Sequence, residues 1–141
     1  MISGYNAFVS FANHIKTGLA GSGINIVFEK RGQAEPPYLV LQGLSETATG
    51  DRTIVKGVQG WLAVSKKTTE PLEVSFQSEL DKLLALTVDI GFLTLYDYSQ
   101  DPKTDVGAYV PKLTEVTHDM SNDPLVEKRV IRWKLSMVRQ S

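Results

Sequence analysis

The sequence predicts a single α+β domain in which two helices pack on a mainly antiparallel sheet. Apolar residues recur every three or four positions in two segments, which is helical spacing, and alternate or cluster in six others, which is typical of strands. Short connections between successive strands favour antiparallel pairing. The predicted order is α-β-β-β-α-β-β-β, and a length of 141 residues suits one domain over 1–141.

Two amphipathic segments account for the helices. The first segment, 5–19, has Ser3 as its predicted N-cap and Gly18 or Gly21 as its predicted C-terminal stop. Phe11 lies beside its apolar stripe, which consists of Tyr5, Phe8, Ala12, Ile15 and Leu19. The second runs from Leu72 to position 86 or 87, after Thr68 or Thr69 as N-cap and Pro71 in its first turn. Its predicted buried face is Leu72, Phe76, Leu80, Leu83 and Leu84.

Six segments have strand character. They are predicted at 24–30, 38–44, 53–65, 92–99, 106–118 with an interruption at Pro111, and 125–138. The polar segments 45–52 and 100–105 are predicted loops, and 119–124 is a predicted turn. The third strand has apolar residues of both parities, as a central strand does, with a bulge or bend expected at Gly57 or Gly60.

The last strand shows the clearest alternation. One side carries Ile131, Trp133, Leu135 and Met137, and the other carries Arg132, Lys134 and Ser136. The first set is expected in the core and the second in solvent. A strand of ~14 residues exceeds the usual five or six, so part of it is expected to extend past the sheet.

Composition excludes several kinds of chemistry. The chain has no cysteine, which excludes disulfides, thiol nucleophiles and thiolate metal sites and fits a reducing compartment. No apolar run reaches the ~20 residues of a membrane span, and the N-terminus lacks the pattern of a signal peptide. The net charge of −1 gives no overall attraction to nucleic acid or membrane.

Catalytic and metal-binding motifs are missing from the sequence. His14 lies beside the first apolar stripe, and His118 with Asp119 and Asp123 matches no metal-ligand spacing. The glycines at 18–23 end a helix and open a strand, the reverse of a phosphate-binding loop. We therefore expect no catalytic residue, cofactor or metal, and a protein that is not an enzyme.

Charge is segregated along the chain. The segment 125–141 has five cations against Glu127, whereas acids cluster at 70–81 and recur at 97, 101 and 105. Such segregation suits complementary contacts between copies of a protein, and the alternative is two solvated faces. The candidate protein-contact residues are Lys128, Arg132, Lys134, Asp101 and Asp105.

The order of secondary-structure elements and the residue pattern along the whole chain resemble those of the tail terminator (tail completion) proteins of long-tailed bacteriophages. The resemblance includes the opening helix 5–19, the segment Pro37-Tyr38-Leu39-Val40-Leu41, the strand with Trp61 before the helix at 72–86, and the closing Val130-Ile131-Arg132-Trp133-Lys134-Leu135. It implies a homo-oligomeric ring, expected to be a hexamer, that caps the finished tail tube and joins the head. The implied partners are the tail tube protein and a neck or head-completion protein, with DNA passing through the ring. The implied location is the virion, after assembly in the host cytoplasm.

Two other functions compete with this interpretation. One is a small enzyme or ligand-binding module with a scattered site made of Tyr96, Tyr98, His118 and Asp119. The other is a nucleic-acid-binding module that uses Lys128, Arg132 and Lys134 on the last strand. No aromatic residue interleaves with these cations along that strand, so base stacking is not predicted.

Overall fold

A computed structural model describes residues 4–27, 37–49, 53–65, 72–99, 101–119 and 126–138. These residues form two helices and six strands in the predicted order. The helices are α1 (Gly4–Gly18) and α2 (Leu72–Thr87). The strands are β1 (Asn25–Val27), β2 (Tyr38–Thr49), β3 (Thr53–Ser65), β4 (Leu93–Asp97), β5 (Thr104–Asp119) and β6 (Val126–Val138). The predicted α+β class and the bounds of β3 are confirmed.

The six strands form one sheet in the order β1-β2-β3-β6-β5-β4. Every pair is antiparallel except β1 with β2. β6 pairs with β3 over its whole length and with β5 from Lys128 to Met137. The expectation that part of β6 extends past the sheet is therefore wrong, because β3 is equally long and lies beside it throughout.

Both helices pack on one face of the sheet and enclose a single core. Phe11 of α1 lies edge-on to Trp133 of β6 and Tyr109 of β5, with ring centroids 5.2 and 6.4 Å away. All three side chains are almost fully buried. The alternation predicted for β6 is confirmed, since one parity is buried and Arg132 and Lys134 are exposed.

Glycine allows two close approaches in this core. A Cβ at Gly60 would lie 3.1 Å from the Trp133 ring and 3.2 Å from Leu39. A Cβ at Gly18 would lie 2.5 Å from the side chain of Leu86, so the end of α1 touches α2 directly. The stop predicted at Gly18 is confirmed and has a packing reason, while the left-handed backbone conformation occurs at Gly21, with a φ of 80°.

The buried face of α1 overlaps the predicted stripe and is displaced toward Phe11. Four of the five predicted positions are buried or pack against the core: Phe8, Ala12, Ile15 and Leu19. Ala7, Phe11 and Ile15 are fully buried, whereas Tyr5 is 68% exposed. The helix is rotated so that Phe11 faces the two aromatic rings of the sheet, which turns Tyr5 into solvent. The N-terminus of α1 is held from outside the helix, because Glu46 Oε1 accepts a hydrogen bond of 3.1 Å from the backbone N–H of Gly4.

Two predicted interruptions of the sheet are absent. β2 continues through a register shift after Gly43 to Thr49, so most of the predicted loop at 45–52 is a polar hairpin arm paired with β3. β5 continues through Pro111, where its only neighbour is β6 because β4 pairs no further than Tyr109. An edge position accepts proline because no neighbour requires its missing N–H.

Smaller differences concern the ends of elements. β4 covers Leu93–Asp97 rather than 92–99, and β5 begins at Thr104 within the predicted loop at 100–105. Asp119 ends β5 and does not open a turn. The predicted caps at Ser3, Thr68 and Thr69, together with Pro71, the end of the first strand and most of the turn at 119–124, lie outside the described residues.

Replacement of Phe11 with alanine tests the aromatic contact between α1 and the sheet. Phe11→Ala should lower the free energy of unfolding by about 3–5 kcal/mol, because it leaves a cavity against Trp133 and Tyr109. Urea unfolding followed by circular dichroism measures the change. The matched control is Tyr5→Ala on the exposed side of α1, which should change stability by no more than about 0.5 kcal/mol. Equal losses in the two variants would contradict the packing described.

Candidate protein-contact surface

The face of the sheet opposite the helices, called the outer face here, carries a row of apolar side chains. Val40, Trp61 and Val130 are register partners on β2, β3 and β6, so they lie side by side. Each is partly exposed. The next row consists of Tyr38, Ala63 and Lys128. Within the described residues no helix packs on this face, so Val40, Trp61 and Val130 form a partly exposed strip beside the buried Ala63.

A polar row borders this strip. Gln42, Gln59, Arg132 and Glu115 are successive register partners across four strands. Arg132 donates from Nε to Gln59 Oε1 at 3.0 Å and from Nη1 to Glu115 Oε2 at 3.1 Å. These side chains of Arg132 and Glu115 are 50% and 43% exposed, so the ion pair contributes at most about 1 kcal/mol. Its main effect is to hold the guanidinium in place on the sheet.

Beyond the polar row lies a groove of about 460 Å³. Lys112 and Lys134 line it and are direct register partners on β5 and β6. Like charges placed directly opposite each other destabilise a sheet. Neither lysine has an ion pair or hydrogen bond within the described part of the chain. Leu44 lies across Gly57 at one side, where the register shift of β2 turns it outward. The groove is therefore basic, with an apolar wall.

Acidic side chains lie at the turn that joins β4 to β5, a segment called the hairpin tip here (residues 97–105). Asp101 and Asp105 are exposed, and Asp105 Oδ1 accepts a 3.0 Å hydrogen bond from the N–H of Gly107. Asp97 is buried and accepts hydrogen bonds from the hydroxyl and the N–H of Ser99, at 2.6 and 2.9 Å. These bonds favour the carboxylate and hold the pKa of Asp97 below its usual value.

The single lysine of the hairpin tip is turned toward aromatic rings. Lys103 Nζ lies 4.2 Å from the ring centroid of Tyr96 and 5.5 Å from that of Tyr98. Such cation–π contacts orient an ammonium group against the rings. Asp101 and Asp105 are exposed, and the ammonium group of Lys103 is turned toward the tyrosine rings.

The predicted contact residues thus fall into two separate regions. Lys128, Arg132 and Lys134 lie on β6 at the outer face, and Asp101 and Asp105 belong to the hairpin tip. Asp105 precedes Lys112 by seven residues of β5, which is roughly 23 Å of strand. Asp105 is therefore too far along β5 to pair with Lys112 of its own chain.

Sequence reasoning missed two members of the outer face. Trp61 was predicted on the central strand, but the partial exposure of its side chain was not predicted. Lys112 was not considered, because Pro111 was expected to interrupt the strand. The expectation that no aromatic residue shares the face of the β6 cations holds only along β6. Across strands, Trp61 and Tyr38 lie on that same face. If the order of the strands had been known, the alternation of side chains along each strand would have placed both residues on the outer face.

The predicted scattered site is not assembled. Tyr96 and Tyr98 are together, with ring centroids 6.1 Å apart, and border a cleft of about 300 Å³ that His14 and Lys103 also line. His118 and Asp119 pair with Arg129 and Lys128 near the opposite end of β5, thirteen or more residues from the partner of Tyr96. The prediction that these four residues form one site is wrong, because β5 is a single long strand.

His14 has a packing role between the helices. Its Nε2 lies 2.8 Å from the carbonyl oxygen of Leu86, near the end of α2. The side chain is half-buried, which agrees with its predicted place beside the apolar stripe. Tyr109, which also borders the cleft, has its pKa raised because burial disfavours the phenolate. Among the described residues no three His, Asp or Glu side chains are grouped as metal ligands.

Comparisons with known proteins do not assign the chain to a family. No protein-family model matches the sequence, and no curated protein matches it. In the part of the chain that the structure describes, neither helix is long and apolar enough to cross a membrane. The outer face and the hairpin tip are therefore the features from which a function can be argued.

Removal of one member of the lysine pair tests the repulsion in the groove. Lys134→Gln should raise the free energy of unfolding by about 0.2–1 kcal/mol at low salt, and the gain should shrink at about 1 M salt. Urea unfolding of dilute protein at both salt concentrations measures it. Lys82→Gln on the exposed side of α2 is the control and should give no such gain. A destabilised Lys134→Gln at low salt would contradict the argument.

The hydrogen bonds of Asp97 predict a pH dependence. Because its pKa in the folded protein is below 3.8, its contribution to stability is present above that pH and is lost as the pH falls through the lowered value. Wild type should therefore lose stability below about pH 4 more steeply than Asp97→Asn. Thermal unfolding between about pH 2 and pH 6 compares the two. Parallel curves would contradict the role given to the Ser99 bonds.

Proposed function

We propose that this protein is a structural subunit that assembles through its outer face into a ring, of the kind that caps a finished phage tail tube and provides the interface for head joining. The observation that carries the proposal is the open row of Val40, Trp61 and Val130. It forms an apolar strip in the middle of a sheet that no described helix covers.

The composition of the outer face is that of a protein interface. Interface centres are enriched in Trp, Tyr and Arg and are surrounded by polar groups. Trp61 and Tyr38 lie here in adjacent rows, and Arg132 is held on the bordering row by Gln59 and Glu115. An arginine held in this way loses little conformational freedom when a partner binds it.

Two separate surfaces of opposite charge favour a ring over a symmetric dimer. A two-fold dimer uses one patch twice, whereas a head-to-tail contact joins two different patches and closes into a ring when the rotation permits. The basic groove and the acidic hairpin tip are two such patches. The proposed function needs contact by shape and charge and no bond-breaking chemistry.

The resemblance to tail terminator proteins supplies the biological setting of the proposal. The element order on which it rests is the order observed. The proposed partners are further copies of the chain, expected as a hexamer, together with a tail tube protein and a neck or head-completion protein. DNA would pass through the ring without sequence-specific contacts, and the proposed location is the virion.

A second candidate is binding of single-stranded nucleic acid on the same face. It is favoured by the cations Lys112, Arg132 and Lys134 sharing a face with Trp61, since stacking and phosphate contacts together define such sites. Titration of a labelled oligonucleotide at low salt separates the candidates. Binding that Trp61→Ala and Lys134→Ala both weaken supports this second function, and its absence removes it.

The assembly proposal is tested by measuring mass in solution with a charge placed in the apolar row. Wild type should form a discrete oligomer by light scattering and native mass spectrometry, and ring-shaped particles by electron microscopy. Trp61→Glu should shift it to monomer by weakening association at least about tenfold, because a carboxylate replaces a central apolar contact.

Tyr5→Glu is the matched control, since it changes an exposed aromatic residue to the same acid on α1. It should leave the oligomer intact. Circular dichroism verifies that both variants fold. A wild type that stays monomeric at high concentration and does not bind tail tubes contradicts the proposal, and so does an oligomer that Trp61→Glu leaves unchanged.

A further inference from the structure

We infer that the basic groove of the outer face receives the acidic hairpin tip of a second copy of this chain. The inference rests on the proposed function and deepens it by naming the two surfaces that meet. The occupant is argued from charge complementarity and from the separation of the two surfaces within one chain.

The groove has an unbalanced positive charge. Lys112, Lys134 and Arg132 line it, and Glu115 on the neighbouring position of β5 is the only acid in the register around them, which leaves a net charge of +2. The Cα atoms of directly paired residues are about 5 Å apart, so both ammonium groups can reach one carboxylate. A carboxylate between Lys112 and Lys134 would turn a repulsive pair into an attractive cluster.

The hairpin tip has the matching charge. It carries Asp97, Asp101 and Asp105 against Lys103 alone, which is a net charge of −2. Lys103 is directed to the rings of Tyr96 and Tyr98 and is itself exposed, so the tip presents two carboxylates and one ammonium group to solvent. The tip projects from the edge hairpin of the sheet, where β4 has no strand on its other side. An acidic turn and a basic groove have complementary charges.

The tip cannot occupy the groove of its own chain. Thr104 at the start of β5 and Thr114 in the groove are separated by ten residues of one strand, roughly 33 Å. The contact must join two molecules, and each molecule has one donor and one acceptor surface. Copies therefore add head to tail, which yields a closed ring or an open filament.

Charge reversal on each side tests the contact. Lys112→Glu/Lys134→Glu reverses the groove, and Asp101→Lys/Asp105→Lys reverses the tip. Each variant alone should associate at least about tenfold more weakly than wild type, because groove and tip then carry like charges. An equimolar mixture should assemble again, because each variant offers the surface that the other requires. Since the variants must alternate, the mixed ring should contain an even number of subunits, as native mass spectrometry reports.

Fold integrity and salt dependence accompany this test. Asp105 bonds to Gly107, so Asp101→Lys alone is the second tip variant if the double change disturbs the turn. Wild-type association should weaken as salt rises from about 0.05 M to about 0.5 M, since screening shortens the range of these charges. The inference is overturned if the folded groove variant and the folded tip variant each assemble as wild type does. It is also overturned if their mixture remains monomeric.

Cross-linking provides a readout that leaves every charge in place. The chain has no cysteine, so Thr104→Cys/Thr114→Cys introduces the only two thiols. A disulfide needs Cα atoms within about 7 Å, which excludes a bond within one chain here. Oxidation should give a ladder of covalent oligomers that ends at the ring size. Thr104→Cys/Ser78→Cys, with its second thiol on the exposed side of α2, should give no ladder.

The outcomes separate this inference from the proposed function. An oligomer that Trp61→Glu disrupts while charge reversal and cross-linking have no effect keeps the ring proposal and overturns the groove-to-tip contact. A wild type that never self-associates overturns both. A ladder together with rescue in the mixed sample supports both.

Discussion

The packing of Phe11 between Trp133 and Tyr109 is the constraint on which the rest of the structure depends. It joins α1 to β6 at the centre of the sheet and to the neighbouring β5, and it determines the rotation of the helix about its axis. Gly60 makes the contact possible, since any side chain there would press on Trp133. Because both helices pack on this face, no described helix covers the opposite face.

In this sheet, the residues that form the core and the residues of the outer face lie on opposite sides. Along β6, residues of one parity form the core and those of the other carry the charges of the outer face. Two lysines directly opposite each other reduce stability slightly, which is a cost that a structural role alone does not explain. A binding partner with carboxylates would remove that cost. The same sheet can therefore be stable as a monomer and still gain from association.

Sequence patterns predicted the fold well and the surface only in part. The alternation on β6 is a local signal of burial and was confirmed, and the helical spacing at 72–87 was confirmed as a helix with Leu83 buried. The rotation of α1 was not predictable, because it depends on rings from β5 and β6 that are distant in sequence. Lys112 was missed for a similar reason. A proline is tolerated in β5 because β4 ends early, which is a property of the neighbouring strand.

The position of β6 in the sheet also has a consequence for biosynthesis. It is the last described strand to leave the ribosome, yet it lies between β3 and β5 and is the only strand that joins the two halves of the sheet. Until it is made, the β2–β3 and β4–β5 hairpins have no shared strand, and Trp61 lacks its neighbour Val130. An unfinished chain thus has neither the complete apolar row nor Lys134 of the groove. If the chain assembles as proposed, association requires completion of the sheet, because partly made subunits lack part of the apolar row and part of the groove.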